Sequence, residues 1–183
     1  MLISGVGTNL QTLIDAPDID VACVVSSRAD APGLDRARRA GIPALASADE
    51  DETSAFLDQN RVGLVVLAGY MRILSPAFVR AYSGRILNVH PSLLPAFPGA
   101  HAVEDALAHG VKVTGVTVHL VDDDHPSVDS GPIVLQESAA VSYDDTVADL
   151  TERLHRIEHR LLPEAVRLYR AGKIQVDGRQ VSG

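Results

Sequence analysis

The sequence predicts an α/β fold, with a mostly parallel central sheet, flanking helices and an antiparallel extension toward the carboxyl terminus. Three observations lead there. The apolar runs at 21–26, 64–68 and 86–89 are continuous rather than alternating, the pattern of strands buried on both faces. Segments of helical period lie between them, at spacings that suit right-handed crossovers. Beyond Pro98 and Gly99 come a long Val- and Thr-rich run, a polar loop and a second strand-like run, together an antiparallel pair. A chain of 183 residues, 46% of them hydrophobic, is enough for one domain with a sizeable core.

In chain order, residues 1–3 make an unusually short first strand. Ser4-Gly5-Val6-Gly7-Thr8-Asn9 then turns into a helix whose apolar positions are Leu10, Leu13 and Ile14. Glycines let the backbone approach a ligand, and free amides at a helix start attract an anion. The third glycine of the dinucleotide fingerprint is absent, with Leu10 in its place, and no Gly-Lys-Ser/Thr follows. A single phosphate therefore suits this turn; a tight turn without a ligand is the alternative. Residues 21–26 are the second strand. Residues 33–40 are a helix closed by Gly41, with Arg36, Arg38 and Arg39 as a solvated face and a phosphate contact as the alternative. Residues 43–45 are a third strand. Residues 48–59 are a helix whose acidic start, Asp49 to Glu52, suits the positive end of the helix dipole.

Residues 64–68 are the fourth strand, and Ser75 and Pro76 cap and open a helix through Phe78, Val79 and Tyr82. Residues 86–89 are the fifth strand, and 103–108 a helix ended by Gly110. Residues 113–120 and 133–136 are the antiparallel strands around the polar loop 121–131. Asp144 or Asp145 caps a helix bearing Val147, Leu150, Leu154, Ile157 and Leu161 at steps of three and four. Pro163 is expected to break or kink it, with a second segment running to Ala171 and stopping at Gly172. Residues 174–181 read as a small hairpin with an Asp-Gly turn at Asp177 and Gly178.

The totals exclude several classes. A net charge of −8 argues against a general nucleic-acid surface, although a local anion site built from backbone amides needs no net positive charge. The one cysteine, Cys23, lies in an apolar run and packs as a small hydrophobe. No cluster of Cys and His has zinc spacing, and no metal is expected. No apolar run approaches the ~20 residues of a membrane span, and no basic segment precedes a long apolar core at the start. A soluble cytoplasmic protein, with neither nucleic-acid nor membrane partners, is the expectation.

The chemistry concentrates at Asn88-Val89-His90-Pro91-Ser92-Leu93-Leu94-Pro95. Asn88 and His90, two apart on a strand, point to one face. The prolines stiffen the exit. An Asn-x-His taken alone is an ordinary turn cap and a partly buried histidine. In a doubly wound sheet, however, ligands sit beyond the carboxyl ends of the strands, at the switch point between the first and fourth. Residues 5–9, 69–74 and 88–90 then converge on one crevice, where an amide donor and a titratable imidazole suit acyl transfer.

These segments together resemble the folate-dependent glycinamide ribonucleotide formyltransferases of purine biosynthesis, over nearly the whole chain. Ser4-Gly5-Val6-Gly7-Thr8-Asn9-Leu10-Gln11 is similar to the family's phosphate loop, with Thr8 where serine is usual. The segment after the second strand, Ser27-Arg28-Ala29-Asp30-Ala31 with Gly33-Leu34, matches as well. Leu67-Ala68-Gly69-Tyr70-Met71-Arg72-Ile73-Leu74 is similar to its folate-pocket strand exit, the 88–95 string to its catalytic segment, and Val128-Asp129-Ser130-Gly131-Pro132-Ile133 to the segment with its catalytic aspartate. Glu158-His159 stands where a ribose-contacting glutamate precedes a histidine. The 88–95 string is shared across the wider superfamily; the phosphate loop and the Glu158 helix narrow the resemblance.

The resemblance implies a Rossmann-like formyltransferase fold in one domain, 1–183. Residues 1–98 would be the nucleotide-phosphate half, and 99–183 the half with the folate loop and carboxyl-terminal helix. It implies transfer of a formyl group from 10-formyltetrahydrofolate, a co-substrate, to the glycine amine of phosphoribosylglycinamide. It assigns catalysis to Asn88, His90 and Asp129, and substrate binding to Gly7, Thr8, Asn9, Pro91 and Glu158. Folate binding falls to Met71, Arg72, Ile73, Leu74 and Asn88, with the loop from Asp122 to Asp129 lining the pterin site. The partners would be small molecules and the protein a monomer or homodimer.

The sequence departs from the family at three places. The first strand is short. The loop before Asp129 is longer by about three residues on a rough alignment, with Asp124-His125-Pro126 as the extra material. The stretch 46–62 is shortened and offers no counterpart of a cofactor-site arginine, so Arg61 is given no role. His101, His109, His119 and His125 are also without one. The closest rival is a formyltetrahydrofolate hydrolase, which shares the Asn, His and Asp roles but carries a further amino-terminal domain and a different residue where this chain has Pro91. Methionyl-tRNA and sugar-nucleotide formyltransferases carry an additional domain. A folate- or nucleotide-binding homologue with impaired catalysis is the alternative outside the enzymes.

Overall fold

The computed structural model describes residues 1–122 and 127–183. The first half alternates strand and helix: β1 (Leu2–Ile3), α1 (Thr8–Ile14), β2 (Val24–Ser26), α2 (Pro32–Arg39), β3 (Ala44–Ala46), α3 (Glu50–Gln59), β4 (Val65–Ala68), α4 (Pro76–Ala81) and β5 (Ile86–His90). Then follow α5 (Ala102–His109), β6 (Val113–Leu120), β7 (Ile133–Ala140), α6 (Val147–Arg170) and a hairpin of β8 (Gln175–Asp177) and β9 (Gln180–Ser182). Among the described residues β1 to β7 form one sheet in the order β3-β2-β1-β4-β5-β6-β7. Pairing is parallel from β3 through β5 and antiparallel from β5 to β7. The direction of strand succession reverses between β1 and β4, so the switch point lies at their exits, beside that of β5.

Continuous apolar strands feed both faces of the sheet. Ile3, Val24, Val66, Leu87, Val89, Val116 and Val118 pack with Leu10 and Leu13 of α1 and with Leu150, Leu154 and Leu162 of α6. Their alternating neighbours Leu2, Val25, Val65, Leu67 and Ile86 pack with Leu57 of α3 and Phe78 of α4. Cys23 is buried in this second cluster, as expected of a small hydrophobe. Full burial of each such aliphatic side chain contributes about 1.5–3 kcal/mol.

The structure corrects several expectations. β2 pairs only from Val24, opposite Ala44, because Pro43 offers no N–H to extend the ladder. β7 runs four residues beyond Gln136, to Ala140, along β6. The cap of α6 is Thr146, not Asp144 or Asp145. Its hydroxyl accepts from the Asp149 amide at 3.2 Å, and Asp149 accepts from the Thr146 amide at 3.0 Å, a capping box. Asp145 instead accepts from the Ser142 amide at 2.7 Å and pairs with Arg153 through both oxygens, at 2.6 and 2.8 Å. α6 continues through Pro163 as one element instead of two. The missing N–H and the ring cost about 3 kcal/mol. Leu161, Leu162 and Val166, all buried around that turn, outweigh this when summed. In the tail hairpin the two loop residues are Gly178 and Arg179, with Asp177 paired to Gln180.

Candidate active site

Three strand exits build one edge of the molecule. After β1, Gly7 takes a left-handed conformation (φ 75°) as it leads into α1. Gly33 donates its amide to Gly5 O at 3.1 Å, an approach that leaves no room for a side chain: a Cβ on Gly33 would lie 2.3 Å from Ile3. Arg36, expected on a solvated face, instead donates to Val6 O at 2.9 Å and Gln11 Oε1 at 3.2 Å, bracing the glycine turn from α2. Asn9 is buried, and its amide nitrogen donates to Glu158 Oε2 at 2.7 Å, while its Oδ1 has no partner among the described residues. After β4, the Met71 amide donates to Ser4 Oγ at 2.9 Å, tying this exit to that of β1. Met71 and Ile73 are 67% and 81% exposed, two large apolar side chains left open at this edge. Arg72 is exposed and Leu74 half-buried beside them.

The third exit, from β5, carries the densest polar cluster. Asn88 Nδ2 is 3.1 Å from Asp129 Oδ1, and His90 Nδ1 is 3.3 Å from Asp129 Oδ2. The amide and the imidazole therefore do share a face, and one carboxylate joins them. Asp129 Oδ2 also accepts the Gly99 amide at 2.8 Å, and His90 Nε2 faces the Phe97 carbonyl at 2.8 Å. A carbonyl only accepts, so Nε2 carries a hydrogen; an imidazolium satisfies both His90 contacts. Burial pushes the Asp129 carboxyl up, but the charge of His90 and the Gly99 amide beside it pull it down, and the group lies below the ordinary carboxylate range.

The exit loop is fixed from below. Thr117 Oγ1 donates to Ser92 O at 2.7 Å and accepts the Leu94 amide at 3.1 Å, and Gln136 Nε2 reaches Leu94 O at 2.9 Å. Pro91 is half-buried within it. Asp129 takes φ 54°, and the next turn is held where Gly131 presses on Leu120 O, leaving no space for a Cβ. Arg179 of the tail hairpin donates to Ser130 O at 2.9 Å.

Asn88, His90 and Asp129 thus meet as one cluster, and Asn9 with Glu158 as another. Met71 to Leu74 share the edge without a hydrogen bond to either. Sequence reasoning gave no role to His119, which is 2% exposed and stands with its Nε2 3.1 Å from Asn88 Nδ2 and 3.5 Å from Asp129 Oδ1. The signal was available in register, since a histidine late in the 113–120 run falls opposite the 86–90 strand once the two pair. The Phe97 carbonyl and Gly99 amide are backbone groups and left no sequence signal. Asp124, His125 and Pro126, the expected loop insertion, lie outside the described residues. No group of three His, Cys, Asp or Glu side chains fit for a metal occurs among the described residues.

A model of the formyl transferase family matches residues 1–166. The chain belongs to the formyl transferase family. This family member is 42% identical to the phosphoribosylglycinamide formyltransferase of Escherichia coli, over 96% of its own length and 88% of that protein's. It is 45% identical to the human trifunctional purine biosynthetic protein adenosine-3, again over 96% of its length, but spans 18% of that longer chain. Among solved structures, glycinamide ribonucleotide transformylase 1 of Symbiobacterium toebii superposes with a TM-score of 0.94 at 47% identity, covering 99% of this chain and 91% of that one. The fold expected from the sequence, a mostly parallel sheet with flanking helices and an antiparallel extension, is the fold of that solved structure.

Proposed function

We propose that the protein transfers a formyl group from 10-formyltetrahydrofolate to the glycine amine of phosphoribosylglycinamide, a step of purine biosynthesis. The observation that carries this is the single Asp129 carboxylate bridging Asn88 and His90 at the exit of β5, one strand removed from the glycine turn after β1. The similarity to the E. coli formyltransferase supports the choice of substrates.

The amine attacks the formyl carbon, and negative charge gathers on the formyl oxygen. Asn88 Nδ2, held at Asp129, offers a hydrogen bond to that oxygen as it develops. His90, oriented by Asp129 and the Phe97 carbonyl, offers a second from its ring when protonated. It also returns a proton toward the folate nitrogen as the carbon–nitrogen bond breaks, directly or through water. The attacking amine loses its own proton to solvent or to the base so formed. Residues Gly7, Thr8 and Asn9 hold the substrate phosphate, and Glu158 takes the ribose hydroxyls with Asn9 orienting it. Pro91 lines the acceptor side. Met71, Arg72, Ile73 and Leu74 receive the pterin, together with Asp122 and the residues 127–129. On this reading residues 1–98 form the nucleotide-phosphate half, which also presents Met71 to Leu74 to the pterin, and 99–183 form the half with the folate loop and the carboxyl-terminal helix that bears Glu158. The chemistry needs no metal, and the protein acts in the cytoplasm on small molecules, as a monomer or homodimer.

Purified protein given both substrates is expected to form the formylated ribonucleotide. Release of formate from the folate at the same rate without the ribonucleotide would favour a hydrolase. Binding of either compound without turnover would mark an impaired homologue.

A further inference from the structure

Asn88 and His119 are directly opposed across the β5–β6 ladder, so their side chains rise from one face of the sheet. Immediately at His119 the β6–β7 register slips. Val118 pairs with Leu135 but His119 pairs with Ile133, leaving Val134 as an extra residue. Such bulges re-aim a neighbouring side chain. The ring that results is buried and has both nitrogens placed. Nδ1 lies 2.9 Å from Leu120 O, which can only accept, so Nδ1 bears a hydrogen. Nε2 then has two arrangements open to it. It could donate to Asp129 Oδ1, but 3.5 Å is well beyond the ~2.7–2.9 Å of a charge-assisted bond. It could accept from Asn88 Nδ2, whose distance of 3.1 Å is that of an ordinary bond. The amide's other hydrogen goes to Asp129 Oδ1, also at 3.1 Å.

We propose that His119 is a positioning residue for the formyl transfer reaction: held as the Nδ1–H tautomer, it accepts one Asn88 amide hydrogen through Nε2 and so fixes the plane of that amide. The proposal rests on the function proposed above. A terminal amide torsion is broad and roughly two-fold, and one acceptor alone leaves it free to swing about that contact. Two acceptors on either side of Nδ2 present its N–H groups in a set plane before substrate arrives. The developing oxyanion then shares the hydrogen otherwise held by His119, and no donor has to be reoriented. His119 touches neither substrate; it acts through Asn88.

The test has a spectroscopic and a kinetic arm. In protein labelled with nitrogen-15 in histidine, Nε2 of His119 is expected to resonate as a bare, pyridine-type nitrogen at pH 7, and a protonated Nε2 overturns the proposal. His119→Phe keeps the ring's bulk and loses the acceptor. It should lower kcat by about 10–10²-fold while the KM of both substrates stays within about three-fold. His119→Gln, whose terminal oxygen reaches nearly as far as Nε2, should recover at least half of that loss on a logarithmic scale. In an Asn88→Ala background, His119→Phe should cost less than about three-fold more, because the group it acts through is gone. Unchanged kcat in His119→Phe, failure of Gln to recover it, or full additivity with Asn88→Ala each overturns the role. Should His119→Phe fail to fold, the nitrogen-15 signal of the unaltered protein decides. Should the unaltered protein transfer no formyl group, the function proposed above fails, while the tautomer measurement still decides the geometry.

Discussion

The Asn9 amide nitrogen lies 2.7 Å from a carboxylate oxygen of Glu158, joining α1 to α6 across 149 positions of sequence. The pair is buried, and Asn9 Oδ1 already lacks a partner among the described residues. Glu158→Ala would leave the whole amide unsatisfied, at a cost of about 1–3 kcal/mol. A lower melting temperature is expected, with a KM for the ribonucleotide raised by about ten-fold or more. Glu158→Gln, which keeps an acceptor, should melt close to the unaltered protein. Equal melting of the Ala variant would show that the contact carries no stability.

Replacing His90 or Asp129 by Asn removes the proton donor or the carboxylate that holds it. Each change should lower kcat by about 10²-fold or more. Steady-state assays with saturating folate and ribonucleotide measure this directly, and turnover that survives in His90→Asn would contradict the mechanism.

Gly131→Ala should damage the site through the backbone. The new Cβ would stand 1.9 Å from Leu120 O, the acceptor that fixes the His119 tautomer. Backbone must move, so a fall in melting temperature and a fall in kcat are expected together. Gly110→Ala, where a Cβ would meet open space, is the control: it strains a positive φ of 71° but should spare kcat.

Stability should fall modestly in acid. Paired with Arg167 and Arg153 respectively, Asp18 and Asp145 are both held down at about 2, below the ordinary carboxylate range. A depressed carboxyl stabilises the fold fully above its unfolded value, and that stabilisation is lost as pH falls through the folded value. Asp129 adds to it with the same sign. Melting temperature is expected to be level above about pH 5 and to drop between about pH 4 and pH 2. Asp145→Asn should flatten part of that drop.

Thr146→Ala should destabilise the protein by about 0.5–2 kcal/mol, the usual worth of an N-cap. Thermal or denaturant melts check this, and an equal effect from Asp144→Ala would assign the cap elsewhere.

The alternation of apolar runs and helical periods was enough to place β1 to β7 and the switch point, because strands buried on both faces leave long apolar signatures. Where several local options had similar energies, pattern alone did not choose. Thr146, Asp144 and Asp145 are all good caps, and the choice fell to Thr146 because Arg153 engages Asp145. Pro163 breaks helices in isolation; the burial of its neighbours, a tertiary effect, kept α6 whole. In the site, Asn88 and His90 were legible from strand alternation. Asp129 came from family resemblance, since nothing in a polar acidic loop singles out one aspartate. His119 needed the strand register, which a single sequence does not print, and Phe97 and Gly99 contribute only backbone.

β5 has a parallel neighbour on one side and an antiparallel neighbour on the other. The amide and imidazole it bears come from the first half of the chain, and the carboxylate and second imidazole that hold them come from after the reversal. A polypeptide severed between Gly99 and Ala102 would therefore carry unequal, inert portions of the machinery in its two fragments. Activity could return only where the fragments reassociate along the β5–β6 edge, so recovered turnover on mixing would count correctly rejoined molecules.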